Sequence, residues 1–177
     1  MKFILRAGAV LAILLMFNAA TAGAENFSQR FEKGSSDCGA QMGWGWTADI
    51  PPGPNRSDLG FAFFFPNWQR NLTGVIGVDS WYQGALFYHM EAGLAFSDVD
   101  NKFLLGWSPV MVQYKFLSPK RRWAPNILLG AGFSMTNWKD VAKRELGSEF
   151  QFLLHAGAGL EYFKKDGAYS INYRLFH

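Results

Sequence analysis

From Glu149 to Tyr162 the chain alternates strictly between two kinds of residue. The even positions are Phe150, Phe152, Leu154, Ala156, Ala158, Leu160 and Tyr162. The odd positions are Glu149, Gln151, Leu153, His155, Gly157, Gly159 and Glu161. Successive side chains of a strand point to opposite faces, so one face here is apolar throughout and the other mostly polar or very small. Such a long apolar face has little use in water. A strand crossing a bilayer as part of a barrel requires one.

The pattern recurs. Cys38, Ala40, Met42, Trp44 and Trp46 oppose Asp37, Gly39, Gln41, Gly43, Gly45 and Thr47. Leu86, Tyr88, Met90, Ala92, Leu94 and Phe96 oppose Ala85, Phe87, His89, Glu91, Gly93 and Ala95. Ile127, Leu129, Ala131, Phe133 and Met135 oppose Asn126, Leu128, Gly130, Gly132 and Ser134. Residues 58–65 and 103–116 are more evenly apolar, with lengths that still suit strands. Small and polar inner faces suit a narrow lumen, where tiny residues leave room for larger neighbours.

The N-terminus indicates export. Lys2 and Arg6 precede an apolar run to Phe17 and then Ala22-Gly23-Ala24, the layout of a signal peptide cleaved after Ala24. The apolar run is short for a transmembrane helix, and no later one reaches about 18 residues. Losing Lys2 and Arg6 lowers the formal charge from +3 to +1, so nucleic acid is not an expected partner. An aromatic content of 17% with 19 glycines fits a small barrel with aromatic girdles. Cys38 is the single cysteine, so it forms no internal disulfide and is read as a small apolar residue, buried or facing lipid.

Seven strands are expected, near 37–49, 58–66, 81–97, 102–117, 124–136, 148–164 and 168–177. Proline, glycine and charge mark most of the connections as turns, as in Pro51-Pro52-Gly53-Pro54. Residues 67–80 are read as one longer connection. The expected fold is an all-β, antiparallel membrane β-barrel of the eight-stranded type: residues 1–24 are the leader, and residues 25–177 form the barrel domain without its final strand. Single-chain bacterial barrels use even strand numbers, so seven leaves one place unfilled.

Some of these strands resemble a known family. Trp123-Ala124-Pro125-Asn126-Ile127-Leu128-Leu129-Gly130-Ala131-Gly132 is similar to a strand of the lipid A 3-O-deacylase (PagL-like) outer-membrane barrels. So are Leu146-Gly147-Ser148-Glu149-Phe150-Gln151-Phe152 and Gly157-Ala158-Gly159-Leu160. Tyr173-Arg174-Leu175-Phe176-His177 resembles the family strand that continues His-x-Ser-Asn-Ala. The resemblance runs from about Trp44 to His177 and is most specific over the last 55 residues.

It implies an eight-stranded outer-membrane barrel that hydrolyses the ester-linked acyl chain at the 3-position of lipid A, using serine, histidine and glutamate and no metal or cofactor. His177 matches the family's histidine. The serine would fall two residues later and the glutamate on the next strand, both beyond residue 177, as would the asparagine after the serine. On that basis the 177-residue chain is expected to be a poor enzyme and a poorly assembled barrel unless a partner supplies the missing strand.

The chemistry accounts for the spacing. A serine hydroxyl needs a base, and histidine titrates near neutrality. At i and i+2 on a strand the two share a face, and a carboxylate on the neighbouring strand would orient the imidazole. His177 falls in the series Tyr169, Ile171, Tyr173 and Leu175, the apolar side, which makes sense only for a lipid substrate. With the N-terminus in the periplasm, His177 and the connection 137–147 lie at the outer surface. Lys139, Lys143 and Arg144 in that connection are candidate contacts for lipid A phosphates, with an ordinary solvated loop as the other reading. Lys120, Arg121 and Arg122 would then lie at the periplasmic side.

His89 with Glu91, and His155 with Glu161, share strand faces, but without a motif no metal site is expected. The expected partners are lipopolysaccharide and outer-membrane lipid, and a second copy of the chain is left open. Two readings remain beside a deacylase: a non-catalytic barrel with structural or binding duties, and an inactive product of a broken gene.

Overall fold

The computed structural model describes residues 9–18, 27–48, 60–97, 102–118, 122–137, 140–141, 144–145, 149–164 and 167–176. It is an all-β protein. Strands β2 (Ser36–Ala48), β3 (Gly60–Asn71), β4 (Gly84–Ser97), β5 (Phe103–Phe116), β6 (Trp123–Thr136), β9 (Phe150–Lys164) and β10 (Gly167–Phe176) form one curled antiparallel sheet. β1 (Ala9–Asn18) pairs with β10 on one side and β2 on the other, which closes the ring at eight. A four-residue helix, α1 (Phe27–Arg30), precedes β2, and a two-residue hairpin, β7 (Asp140–Val141) with β8 (Arg144–Glu145), lies between β6 and β9.

The seven expected strands are the seven of the sheet. Six agree to within three residues at either end; β3 runs five residues past its expected end. Asn67–Asn71 pair with Glu91–Phe87 of β4, so the β3–β4 connection is shorter than the sequence suggested. The place left open between the last strand and the first is where Ala9–Asn18 pairs.

Exposure follows the parity expected from the sequence. Along β10, Tyr169, Ile171, Tyr173 and Leu175 are exposed, whereas Ala168, Ser170, Asn172 and Arg174 are buried. Along β9, Phe150, Phe152, Leu154 and Leu160 face out, and His155 and Glu161 face in. Cys38 is on the outer side, opposite Trp68.

The lumen is layered. At the end where β2 begins, Phe31 plugs the barrel among Ala85, Phe87, Leu117, Ala124, Phe163 and Ala168. Its ring meets Phe163 and Phe87 edge-on, with centroids 5.1 and 6.2 Å away. At the far end Phe63, Phe65 and Ala95 pack with Phe61, Leu104 and Phe176. A belt of buried polar side chains lies between the two plugs.

Two strands whose alternation was weak owe this to the same architecture. The inner face of β3 carries Phe61, Phe63 and Phe65 because it lines the far plug, so both its faces are apolar there. β5 contains a bulge: Trp107 and Val110 pair with Phe133 and Ala131, so three steps on β5 match two on β6. The extra residue switches parity, so Leu104, Gly106 and Ser108 face in on one side of it and Met111, Gln113 and Lys115 on the other. Pro109, which has no N–H to donate, sits within the bulge, and its carbonyl accepts from the Tyr88 hydroxyl.

Candidate functional site

The last described residue of β10, Phe176, pairs with His155 of β9 and turns its ring inward against the His155 imidazole, with centroids 4.7 Å apart. Leu175, one step earlier, faces out beside Ala156. β9 continues past this point to Phe150, leaving exposed Leu154 and Phe152 on the outer wall above the tip of β10. The outer surface beside the tip of β10 is therefore aliphatic and aromatic.

His177, Lys139 and Lys143 lie outside the described residues. Arg144 lies on β8, its backbone paired with Val141, in the hairpin of the β6–β9 connection. That connection leaves and re-enters the barrel at the end where β10 finishes, as the strand directions require. Thr136 and Phe150, the strand ends that bound this connection, lie at that end of the barrel.

The interior holds the most organised polar group among the described residues. Glu91, 3% exposed, accepts two hydrogen bonds from Arg174 Nη1, at 2.7 and 2.8 Å. His89 Nε2 is 3.4 Å from Glu91 Oε2 and 3.5 Å from Gln41 Nε2. Ser108 Oγ is hydrogen-bonded to His155 Nε2 at 2.8 Å, and His155 Nδ1 lies 3.9 Å from Glu91 Oε1. A second buried pair joins Lys115 Nζ to Glu161 at 2.6 Å, with the ammonium 4.6 Å from the Phe87 ring centre.

Sequence reasoning placed His89 and Glu91 on one face correctly but did not see the partners. Glu91 reaches His155 and Arg174, and Glu161 is taken by Lys115 rather than by His155. Parity alone flagged Arg174 as an inward cation; nothing local said which carboxylate it would meet 83 positions away.

Ser108, His155 and Glu91 superficially resemble a hydrolase constellation, but their surroundings argue against catalysis. All three are nearly fully buried between the two phenylalanine plugs. At 3.9 Å the carboxylate does not hydrogen-bond the imidazole, and its charge is already matched by Arg174. The group is a structural network, and among the described residues no set of three or more histidine, cysteine or acidic side chains is arranged to hold a metal.

Neither a curated protein nor a solved structure is matched by the chain. Residues 40–177, from within β2 to the last residue, match the family described as lipid A 3-O-deacylase (PagL). With an antiparallel barrel, an outer wall of apolar side chains and well over half of its length matched, the chain belongs to the lipid A 3-O-deacylase (PagL) family.

Proposed function

We propose that this chain carries the histidine and the lipid-facing wall of an outer-membrane hydrolase that removes the ester-linked acyl chain from the 3-position of lipid A. The observation that supports this reading is that Tyr173 and Leu175, the residues of the parity series to which the sequence assigns His177, face outward on β10. Past the partner of Phe176, β9 carries exposed Leu154 and Phe152 on its outer face. His177 acts there as general base: it takes the proton of a serine hydroxyl as the oxygen attacks the ester carbonyl, then returns it to the leaving alkoxide. The family's serine, two residues on, would share that outward face.

Lys139, Lys143 and Arg144, in the connection at the same end, contact the lipid A phosphates, with Arg144 positioned by the β7–β8 hairpin. Residues 1–24 are the export leader. Two observations support this: the family match begins at residue 40, and Ala9–Phe17 is apolar at every position, without the alternation of strands such as β9 and β10. Its register sets Leu14 and Met16 against Asn172 and Ser170, positions of the polar lumen.

The test is mass spectrometry of lipid A from cells expressing the 177-residue chain, beside the same chain extended by its downstream reading frame. Loss of one 3-hydroxyacyl group with the extension alone, abolished by His177→Ala, is the expected result. Loss with the unextended chain would place the nucleophile among residues 25–177 and overturn the assignment.

A further inference from the structure

The connection between β3 and β4, residues 72–83, is built unlike a solvent loop. Of its twelve residues only Asp79 is charged, while Leu72, Val75, Ile76, Val78, Trp81 and Tyr82 are all exposed. Val78 is 65% exposed and Trp81 88%, the highest among the exposed large hydrophobic residues. In water this apolar surface is unfavourable.

Much of its backbone is nevertheless hydrogen-bonded to the barrel or within the segment. Ile76 and Gly84 exchange hydrogen bonds at 2.8 and 3.0 Å, Leu72 N–H donates to Leu86 at 2.8 Å, and Leu117 N–H donates to the Gln83 carbonyl at 2.8 Å. Ser80 and Gln83 N–H groups close two turns onto Gly77 and Ser80. The Asn71 side chain accepts from Thr73 and Gly74, and the Gln83 side chain accepts from Asp79 N–H. Gly77, at φ 65°, has no room for a Cβ because the Tyr82 ring lies against it. The segment is a rigid platform.

Its direction is fixed by Tyr114. That side chain projects outward from β5, between inward Gln113 and Lys115, and its hydroxyl donates to the Tyr82 carbonyl. The loop therefore leans onto the outer wall of the barrel. There it continues a row of outward aromatics at the same end: Trp68 with Tyr88, Tyr114 with Phe116, and Trp123 with Tyr162, with ring centres 6.0, 4.9 and 4.6 Å apart. Such rows mark the headgroup level of the bilayer, where aromatic side chains with polar edges are favoured.

We propose that residues 72–83 are a membrane-interface anchor, seated in the headgroup region of the phospholipid leaflet at the α1 end, with Val78 and Trp81 as the inserted residues. The role is separate from catalysis at the opposite end of the barrel.

The test places a polarity-sensitive fluorophore at position 78 by Val78→Cys in a Cys38→Ala background. The labelled chain is reconstituted in phosphatidylethanolamine–phosphatidylglycerol vesicles. Expected are a blue shift on moving from detergent-free buffer to vesicles, strong quenching by lipids carrying a nitroxide near the headgroup, and weak quenching by aqueous iodide. Full iodide quenching with none from lipid would show a solvated loop. A blue shift with neither form of quenching would show burial against a second protein surface. Either overturns the proposal. Trp81→Asp, which touches no core side chain, should reduce the lipid quenching at position 78 several-fold without changing the folded fraction in detergent micelles.

Discussion

At the scale of the residue, the Glu91–Arg174 pair dominates the interior. Two opposite charges were removed from water and matched at 2.7 and 2.8 Å, so neither can lose its partner cheaply. Arg174→Met should destabilise the barrel by about 3–5 kcal/mol, because it leaves a buried carboxylate uncompensated. Combining it with Glu91→Met should recover most of that loss. Urea unfolding in detergent micelles, followed by the mobility shift of folded barrel on gels, measures both; a double variant no better than the single would show that the pair is not the coupled unit. Parity in the sequence made Arg174, His155 and Glu91 legible as inward residues. Their contacts were not legible, because β4, β5, β9 and β10 bring them together from distant stretches.

At the scale of the element, the strands differ in how openly they declare themselves. β9 and β10 alternate fully because their inner faces line the polar belt or approach close neighbours: a Cβ at Gly159 would run into the Asn172 side-chain amide. β3 hides its parity because its inner face feeds an aromatic plug, and β5 hides it because the bulge shifts the count by one. The sign of a substitution depends on this parity. Leu129, outward on β6 and 59% exposed, should tolerate Phe, whereas Leu129→Arg should cost about 2–4 kcal/mol if the position lies near the bilayer midplane. Folding titrations in lipid vesicles should show that penalty and should not show it in detergent-free assays of secondary structure. An equal tolerance of Arg and Phe in lipid would mean that β6 does not face the membrane.

At the scale of the whole molecule, phenylalanine plugs at both ends and a belt of ion pairs between them make a filled barrel. Its useful surface is the outside, which agrees with a family whose substrate is itself a membrane lipid. The eighth strand position is where sequence and structure read one segment in two ways. Ala9–Asn18 pairs on both sides as a strand, while its apolar run to Phe17 and the preceding Lys2 and Arg6 read as a leader. N-terminal sequencing of the protein recovered from outer membranes should begin at Glu25; a first residue at Met1 would make β1 a permanent stave. The proposed site was read only through the family-type run at Tyr173–His177, because a single histidine carries no signal of its own in periodicity or charge.

The Glu91–Arg174 bond spans 83 positions and joins β4 to β10, the last strand of the described sheet. Three barrel strands, β5, β6 and β9, lie between the partners in chain order, so the bond can form only once the chain has been made through β10. Closing the lumen around Glu91 before Arg174 arrives would trap a bare charge, so early closure is penalised and late closure rewarded. Such a pair would tie closure of the lumen to completion of β10. A polypeptide interrupted anywhere before Arg174 would stay open, expose its strand edges and present itself to the proteases that clear unfinished barrels.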